Sequence, residues 1–294
     1  MKREISRSVC IAVLSLAVFC ACRGLVSAAA APFSEDFNDG VANGFVEFNG
    51  GWSVEDADGA GPGAGVYRHS AGLTGPTPLG STRAIYSSAV NLDNVAGSAF
   101  TLSTTFRLDE LSVIGLSGGN QITVGFGALG LASNFGATTT YYAAEVLLLG
   151  PDAGQLRISQ FNGFGPPADP IAAGASGVPI NANGSTVYQL TLDGSYGLGG
   201  ELTLRLTLSN GITSGSVEGI DATPLAGNFF GFRNSVQAGA PANQVSLDMN
   251  YDNFQVIPEP GVGTLLMLGG VLASGARFAR RRSQKPGIAA LRHV

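Results

Sequence analysis

Through the middle of the chain apolar side chains recur at every second position. Phe100, Leu102, Phe106 and Leu108 share one parity with Thr104, while Thr101, Ser103, Thr105, Arg107 and Asp109 occupy the other. Leu202, Leu204, Leu206 and Leu208 alternate with Thr203, Arg205 and Thr207 in the same way. A period of two places each set on its own face of a pleated strand, the pattern of half-buried antiparallel strands. Further strands are predicted near Phe33–Phe37, Gly44–Val54, Arg83–Val90, Gln121–Phe126, Tyr141–Leu149, Gln155–Phe161, Thr186–Leu192, Phe229–Arg233 and Val245–Val256, with turns containing glycine, proline or asparagine between most of them. No stretch combines helical spacing with caps over three turns. About a dozen strands in roughly 225 residues suffice for two packed sheets around one core, so residues 31–257 are expected to form an all-β, antiparallel two-sheet sandwich. The glycine- and proline-rich stretches Ala57–Gly65, Gly72–Gly80 and Phe164–Val178 read as exposed connections, because strands of the same character resume after each.

The last strand carries an irregularity. Val245, Leu247, Met249 and Tyr251 share one parity, yet Phe254 and Val256 share the other, so the buried face switches at Asp252-Asn253. Such a switch predicts a β-bulge.

The two ends follow different rules. Lys2, Arg3 and Arg7 precede an uncharged apolar run from Val9 to Cys22, and the small residues Ser27–Ala31 follow. This is the order of a secretory signal peptide, residues 1–30. All three cysteines, Cys10, Cys20 and Cys22, lie within it, so the exported protein would have neither a disulfide nor a thiolate. At the other end Pro258-Glu259-Pro260 leads into an uncharged run from Gly261 to Ala276, then Arg277, Arg280, Arg281 and Arg282, then a tail of residues 283–294. A helix over that run spans about 24 Å, short of the roughly 30 Å hydrocarbon core. The arginines hold this end in the cytoplasm, the basic N-terminus predicts the same side, and everything between is translocated. A permanent C-terminal anchor is the other reading of the same hydropathy.

Residues 258–282 resemble the PEP-CTERM sorting signal, by virtue of the ordered Pro-Glu-Pro, short apolar helix and arginine cluster. That resemblance implies recognition and processing by an exosortase, transient residence in the inner membrane, and delivery to the cell envelope, outer surface or extracellular matrix of a Gram-negative bacterium that makes exopolysaccharide. Members of that family usually stop near the arginines, whereas this chain continues from Ser283 to Val294. Glu35-Asp36-Phe37-Asn38-Asp39-Gly40, Tyr188-Gln189-Leu190-Thr191-Leu192-Asp193-Gly194, Phe230-Gly231-Phe232-Arg233 and Tyr251-Asp252-Asn253-Phe254 also resemble phrases of laminin-G or concanavalin-like jelly rolls. The resemblance implies a jelly-roll sandwich whose first and last strands lie side by side, and it implies no catalysis.

Charge narrows the partners. Residues 32–257 hold 19 acidic groups against six arginines and no lysine, a net charge of −13. A nucleic-acid partner needs a basic surface to displace counterions and is not expected.

Several motifs have the spacing of known chemistry. Val124-Gly125-Phe126-Gly127-Ala128-Leu129-Gly130 has the glycine spacing of a dinucleotide site, but no helix is predicted after it to aim a dipole at a pyrophosphate. Gly115-Leu116-Ser117-Gly118-Gly119 has the spacing of a nucleophile elbow, yet His69 is the one histidine left as a base after processing, and nothing places it near Ser117. A glycoside hydrolase needs two carboxylates flanking the sugar bond. Glu55, Asp56 and Asp58 after Trp52 come closest, but they run into Gly59-Ala60-Gly61-Pro62 and read as a turn, with Trp52 in the core. If the first and last strands are neighbours, Asp252 stands near Glu35, Asp36 or Asp39. Clustered oxygens without histidine or thiolate favour a structural calcium ion over zinc, the alternative being a solvated acidic turn.

The reading that results is an exported, non-catalytic surface or matrix protein. The alternative is a carbohydrate-binding module that recognises exopolysaccharide or envelope glycans through an aromatic face. A groove lined by several exposed aromatics would favour the second reading, and its absence the first.

Overall fold

A computed structural model of the chain describes residues 32–56, 65–74, 80–86, 96–115, 119–131, 139–163, 169–239 and 243–259. The expected signal peptide, Ser117, Asp58, Pro260, Arg277, Arg280, Arg281 and Arg282 lie outside the described residues.

The described residues contain fifteen strands, numbered in chain order, and every pairing between them is antiparallel. The larger sheet runs β13 (Ser214–Asp221), β12 (Leu202–Ser209), β11 (Tyr188–Tyr196), β6 (Ala99–Ile114), β15 (Gln244–Glu259), β4 (Gly65–Thr74) and β3 (Trp52–Asp56), with β1 (Phe33–Glu35) also on β15. The smaller sheet runs β10 (Ala172–Ala175), β9 (Gln155–Asn162), β8 (Thr140–Leu149), β7 (Gln121–Gly130), β14 (Phe229–Gln237), β5 (Gly80–Tyr86) and β2 (Phe45–Phe48).

The expected alternation fills the space between the sheets. Leu202, Leu204, Leu206 and Leu208 are fully buried, as are Leu102 and Leu108 on β6, and from the facing sheet Ile122, Val124, Phe126, Tyr142, Val146, Phe230 and Phe232 join the same cluster. Burying a large apolar side chain contributes about 1.5–3 kcal/mol, so these layers supply the main drive to fold. Trp52 is a core residue as expected, with its ring 4.9 Å from that of Tyr67. Tyr251 stacks at 4.0 Å on Phe232 across the two sheets.

The first and last strands are neighbours, Glu35 standing opposite Phe254. The predicted bulge is present. The register of β15 on β6 shifts between Asp252 and Gln255, Asn253 adopts φ 54°, and Tyr251 and Phe254 are both fully buried. The Asp252 carbonyl freed by the bulge accepts the Thr104 hydroxyl at 2.8 Å.

Other expectations are corrected. The single strand foreseen at Gly44–Val54 is two, β2 in one sheet and β3 in the other, because Asn49, Gly50 and Gly51 all take positive φ and turn the chain between layers. Glu55 and Asp56 lie on strand β3 and not on a turn. Strand β10 occupies a stretch read as a loop, β4 spans the gap between two such stretches and overlaps both, and neither β4 nor β13 was foreseen. Strand β15 runs on through Pro258 and Glu259, which pair with Phe100 and Ala99, so the last strand reaches into the Pro-Glu-Pro motif.

Candidate functional site

Strands of the larger sheet alternate buried and open positions, as β12 does. The central strands of the smaller sheet do not: β7, β8 and β14 are buried on both faces along most of their length. The face turned away from the core therefore holds side chains that an open sheet would leave in water. Registers set them in rows, with Tyr141 opposite Phe161, Ala143 opposite Ser159 and Glu145 opposite Arg157, and Gly127 of β7 beside both Ala143 and Gly231.

The charged row is the chemical centre of this face. One Glu145 carboxylate oxygen accepts from Arg157 Nη2 at 2.8 Å, and the other accepts from Arg233 Nη1 and from the Thr123 hydroxyl, the latter at 3.0 Å. Arg233 also donates from Nε to the Tyr141 hydroxyl at 3.3 Å, and its guanidinium lies 4.3 Å from the centroid of the Phe161 ring. Tyr141 and Phe161 stack at 5.5 Å with only 8° between their planes. Three hydrogen bonds to the carboxylate are what allow a buried charge to persist.

Two polar atoms on this face have no partner. They are Arg157 Nε and the hydroxyl of Ser159, a residue with no exposed surface. Desolvation pulls the Arg157 pKa below its ordinary value. An unpaired buried donor costs about 1–3 kcal/mol, a cost that an ordered water can offset. Sequence reading missed this row. Its one local signal is a glutamate in the otherwise uncharged strand of Thr140–Leu149.

The outward face of the larger sheet carries an open polar pocket lined by Val66, Thr105, Arg107, Asp109, Asn250 and Asp252. Next to it Arg68 bridges Glu55 at 2.7 Å and Asp248 at 2.5 Å. Both partners raise the Arg68 pKa further, and hydrogen bonds from Ser53 and Arg68 hold that of Glu55 down. These groups are exposed enough that solvent screens most of the pair energy.

The carboxylates expected to share calcium do not form a cage. Glu35 points inward, only 6% exposed, and its two oxygens accept the backbone N–H groups of Phe37 at 2.8 Å and Asn43 at 3.2 Å. Asp36 accepts the N–H of Asn38 at 3.1 Å, and Asp39 accepts the N–H of Val41 at 3.0 Å and the side-chain amide of Asn43 at 2.8 Å. Among the described residues no three acids, histidines or cysteines are gathered as a metal ion requires. These acids close turns, a use that Asx geometry explains.

Burial first, and then the Asp36 charge, raise the Asp252 pKa. A carboxylate whose folded pKa lies above its unfolded one costs stability once ionised, so Asp252→Asn should raise the melting temperature slightly at neutral pH. That gain should vanish below about pH 4, where the unfolded carboxyl is also protonated. Calcium and chelator should give superimposable melting curves; a calcium-dependent rise that Asp252→Asn removes would reinstate the metal site.

His69 is fully buried, its ring 4.4 Å from that of Trp52 and tilted by 32° to it, and it is bonded through Nδ1 to the Asn234 side-chain amide at 3.0 Å. Val124–Gly130 lies within β7, so its glycines are strand residues and not a loop ahead of a helix.

Neither a family model nor a curated protein matches the chain. Solved structures with similar strand arrangements include peanut lectin with a nine-residue peptide (15% identity, TM-score 0.42, 79% of this chain and 100% of that one). Winged bean acidic lectin complexed with methyl-alpha-D-galactose is another, at 11% identity and TM-score 0.46 over 78% of this chain and 100% of that one. A third is the Emp47p carbohydrate recognition domain, at 17% identity and TM-score 0.40 over 75% of this chain and 95% of that one. With every one of these TM-scores below 0.5, none assigns a role to a residue here.

Proposed function

We propose that the chain is an exported, non-catalytic saccharide-binding protein that holds a glycan of the cell envelope or matrix at the open polar pocket of its larger sheet. The observation that supports this reading is the lining of that pocket, where Thr105, Arg107, Asp109, Asn250 and Asp252 offer hydroxyl, guanidinium, amide and carboxylate groups. Saccharides present dense hydroxyl and ring oxygens to donors and acceptors of this kind. Among the described residues the large aromatic side chains are buried or half-buried and no groove of exposed aromatics is present, so by that criterion an exported surface or matrix protein without a glycan ligand stands as the alternative. The row around Glu145 is a buried charge group of the fold.

Export by the signal peptide and sorting by an exosortase remain part of the proposal, supported by the sequence order at the two ends. Intact-mass measurement of the exported species tests them: loss of the first ~30 residues and of Arg280–Arg282 is expected, and a mature protein that keeps those arginines contradicts sorting. Binding is tested by electrophoresis of the purified protein through gels containing a panel of neutral and acidic polysaccharides. Retardation by at least one is expected, and unchanged mobility in all of them refutes the reading.

A further inference from the structure

Both ends of the described chain leave the sandwich at one place. Strand β1 enters with Phe33 opposite Val256, and β15 leaves through Pro258 and Glu259, opposite Phe100 and Ala99. Ala99 also stands opposite Ser195, so the turn from β11 to β12, residues 197–201, projects from the same end of the larger sheet. Within that turn Leu198 is 92% exposed. Ile220, one residue from the end of β13, is 65% exposed and pairs with Thr203 at the start of β12. From the smaller sheet Leu131, 59% exposed, follows the end of β7, whose Gly130 pairs with Phe229, and the next residue, Phe230, packs on Phe100.

Exposure alone does not single this end out. Ile212, in the β12–β13 turn at the opposite end, is also 92% exposed, and scattered apolar side chains on a surface are ordinary. The chain ends decide between them. Glu259 closes the last strand, and a single residue, Pro260, separates it from the uncharged run Gly261–Ala276. Two residues reach at most about 7 Å. A membrane segment that starts at Gly261 therefore leaves the sandwich no length of chain with which to stand off from a bilayer, and the end carrying Leu198, Ile220 and Leu131 is the one that meets its surface.

We infer that, while residues 261–276 occupy a membrane, this end of the sandwich rests on the bilayer with Leu198, Ile220 and Leu131 in the headgroup region, where apolar side chains gain by leaving water. The consequence for function is orientation. Thr105 of the polar pocket lies six residues along β6 from Ala99, about 20 Å, so the pocket is held clear of the lipid. The inference rests on the membrane reading of residues 261–276, which sorting and permanent anchoring share, and not on the identity of a glycan. A domain of net charge −13 is repelled by anionic lipid, so the surface it fits is zwitterionic.

The test is fluorescence quenching in the full chain, inserted in phosphatidylcholine vesicles with and without bromine high on the acyl chains. Trp52, the one tryptophan of the chain, is buried in the core and gives the background. Leu198→Trp adds a second emitter at the expected contact, and Ile212→Trp adds one at the far end. In brominated vesicles the added emission of Leu198→Trp should fall severalfold and lie to the blue of its position in water, while the emission of Ile212→Trp and of the wild type should not change. Ile220→Trp should behave as Leu198→Trp does, and it takes that variant's place if Leu198→Trp does not fold. Unquenched emission from both positions at the membrane end, or equal quenching of Ile212→Trp, in chains that float with the vesicles overturns the inference and leaves membrane insertion intact. Failure of the wild-type chain to float overturns the membrane reading and the inference together.

Discussion

Glu145→Gln should lower the unfolding free energy by about 3–5 kcal/mol, the cost of removing one member from a buried, hydrogen-bonded charge group. In a domain of this size that corresponds to a fall of roughly 6–20 °C in melting temperature. The glutamine keeps the shape and one acceptor oxygen, but Arg157 and Arg233 then face each other across an uncharged group on a face with almost no solvent. The penalty is one of uncompensated charge more than of lost contact, and so an added anion should restore part of it. Sulfate, a small anion, should raise the melting temperature of Glu145→Gln more than that of the wild type. Replacing Glu145, Arg157 and Arg233 together by apolar residues of similar volume should cost far less than the single change. A loss under about 1 kcal/mol in Glu145→Gln would mean that water already reaches the row.

The second large effect is pH dependence set by His69. Burial lowers its pKa from 6.5 to about 4, against a smaller opposing pull from the Asp248 carboxylate. The hydrogen bonds explain why protonation is resisted. Asn234 Oδ1 accepts the Tyr251 hydroxyl at 2.6 Å, so Asn234 Nδ2 donates to His69 Nδ1, and a proton at Nδ1 would set donor against donor. The unfolded chain takes up the proton first as pH falls. Stability contributed by neutral His69 is therefore complete above about pH 6.5, declines down to about pH 4, and is flat below, for a total of about 3 kcal/mol. His69→Phe keeps a flat ring against Trp52 and has no proton to take up. The difference between wild-type and variant stability should narrow by that amount as the pH is lowered across the window. A difference independent of pH would show that His69 titrates normally in the folded protein.

The sequence carried the layers of the fold because one face of most strands is buried and the other open. It also carried the bulge, since Tyr251 and Phe254 cannot both be buried without an extra residue between them. It did not carry β13, whose Ser-Gly-Ser-Val-Glu-Gly-Ile-Asp is polar and buries only Val217 fully. Its glycines answer a neighbour distant in sequence: a Cβ on Gly215 would stand 1.8 Å from the Ser176 carbonyl oxygen, and one on Gly219 would stand 2.4 Å from that of Ile171. Without knowing that β10 closes on this edge, the glycines read as loop.

The acids expected to share calcium differ in direction. Strand pairing brought the acids to one corner, but Glu35 shares the parity of Phe33 and Phe37, and so turns into the protein to hold backbone amides instead of outward to an ion. The buried charged row failed to show for a different reason. Its residues come from β7, β8, β9 and β14, each contributing one or two, and only the registers bring Glu145, Arg157 and Arg233 together. The uncharged stretch around Glu145 does announce a strand buried on both faces, and a carboxylate there requires cationic partners. Which arginines supply them is a property of the sheet order.

The central claim is that the domain holds a saccharide at the polar pocket of its larger sheet. Side-chain NMR of the purified protein labelled with ¹⁵N-arginine reads the Arg107 Nε–H directly, with Arg107→Lys assigning its signal. On titration with oligosaccharide fragments of a polysaccharide that retards the protein, the Arg107 resonance should move, while those of Arg157 and Arg233, on the other sheet, stay in place. Shifts confined to Arg157 or Arg233, with Arg107 unmoved, would put the ligand on the smaller sheet and contradict the account.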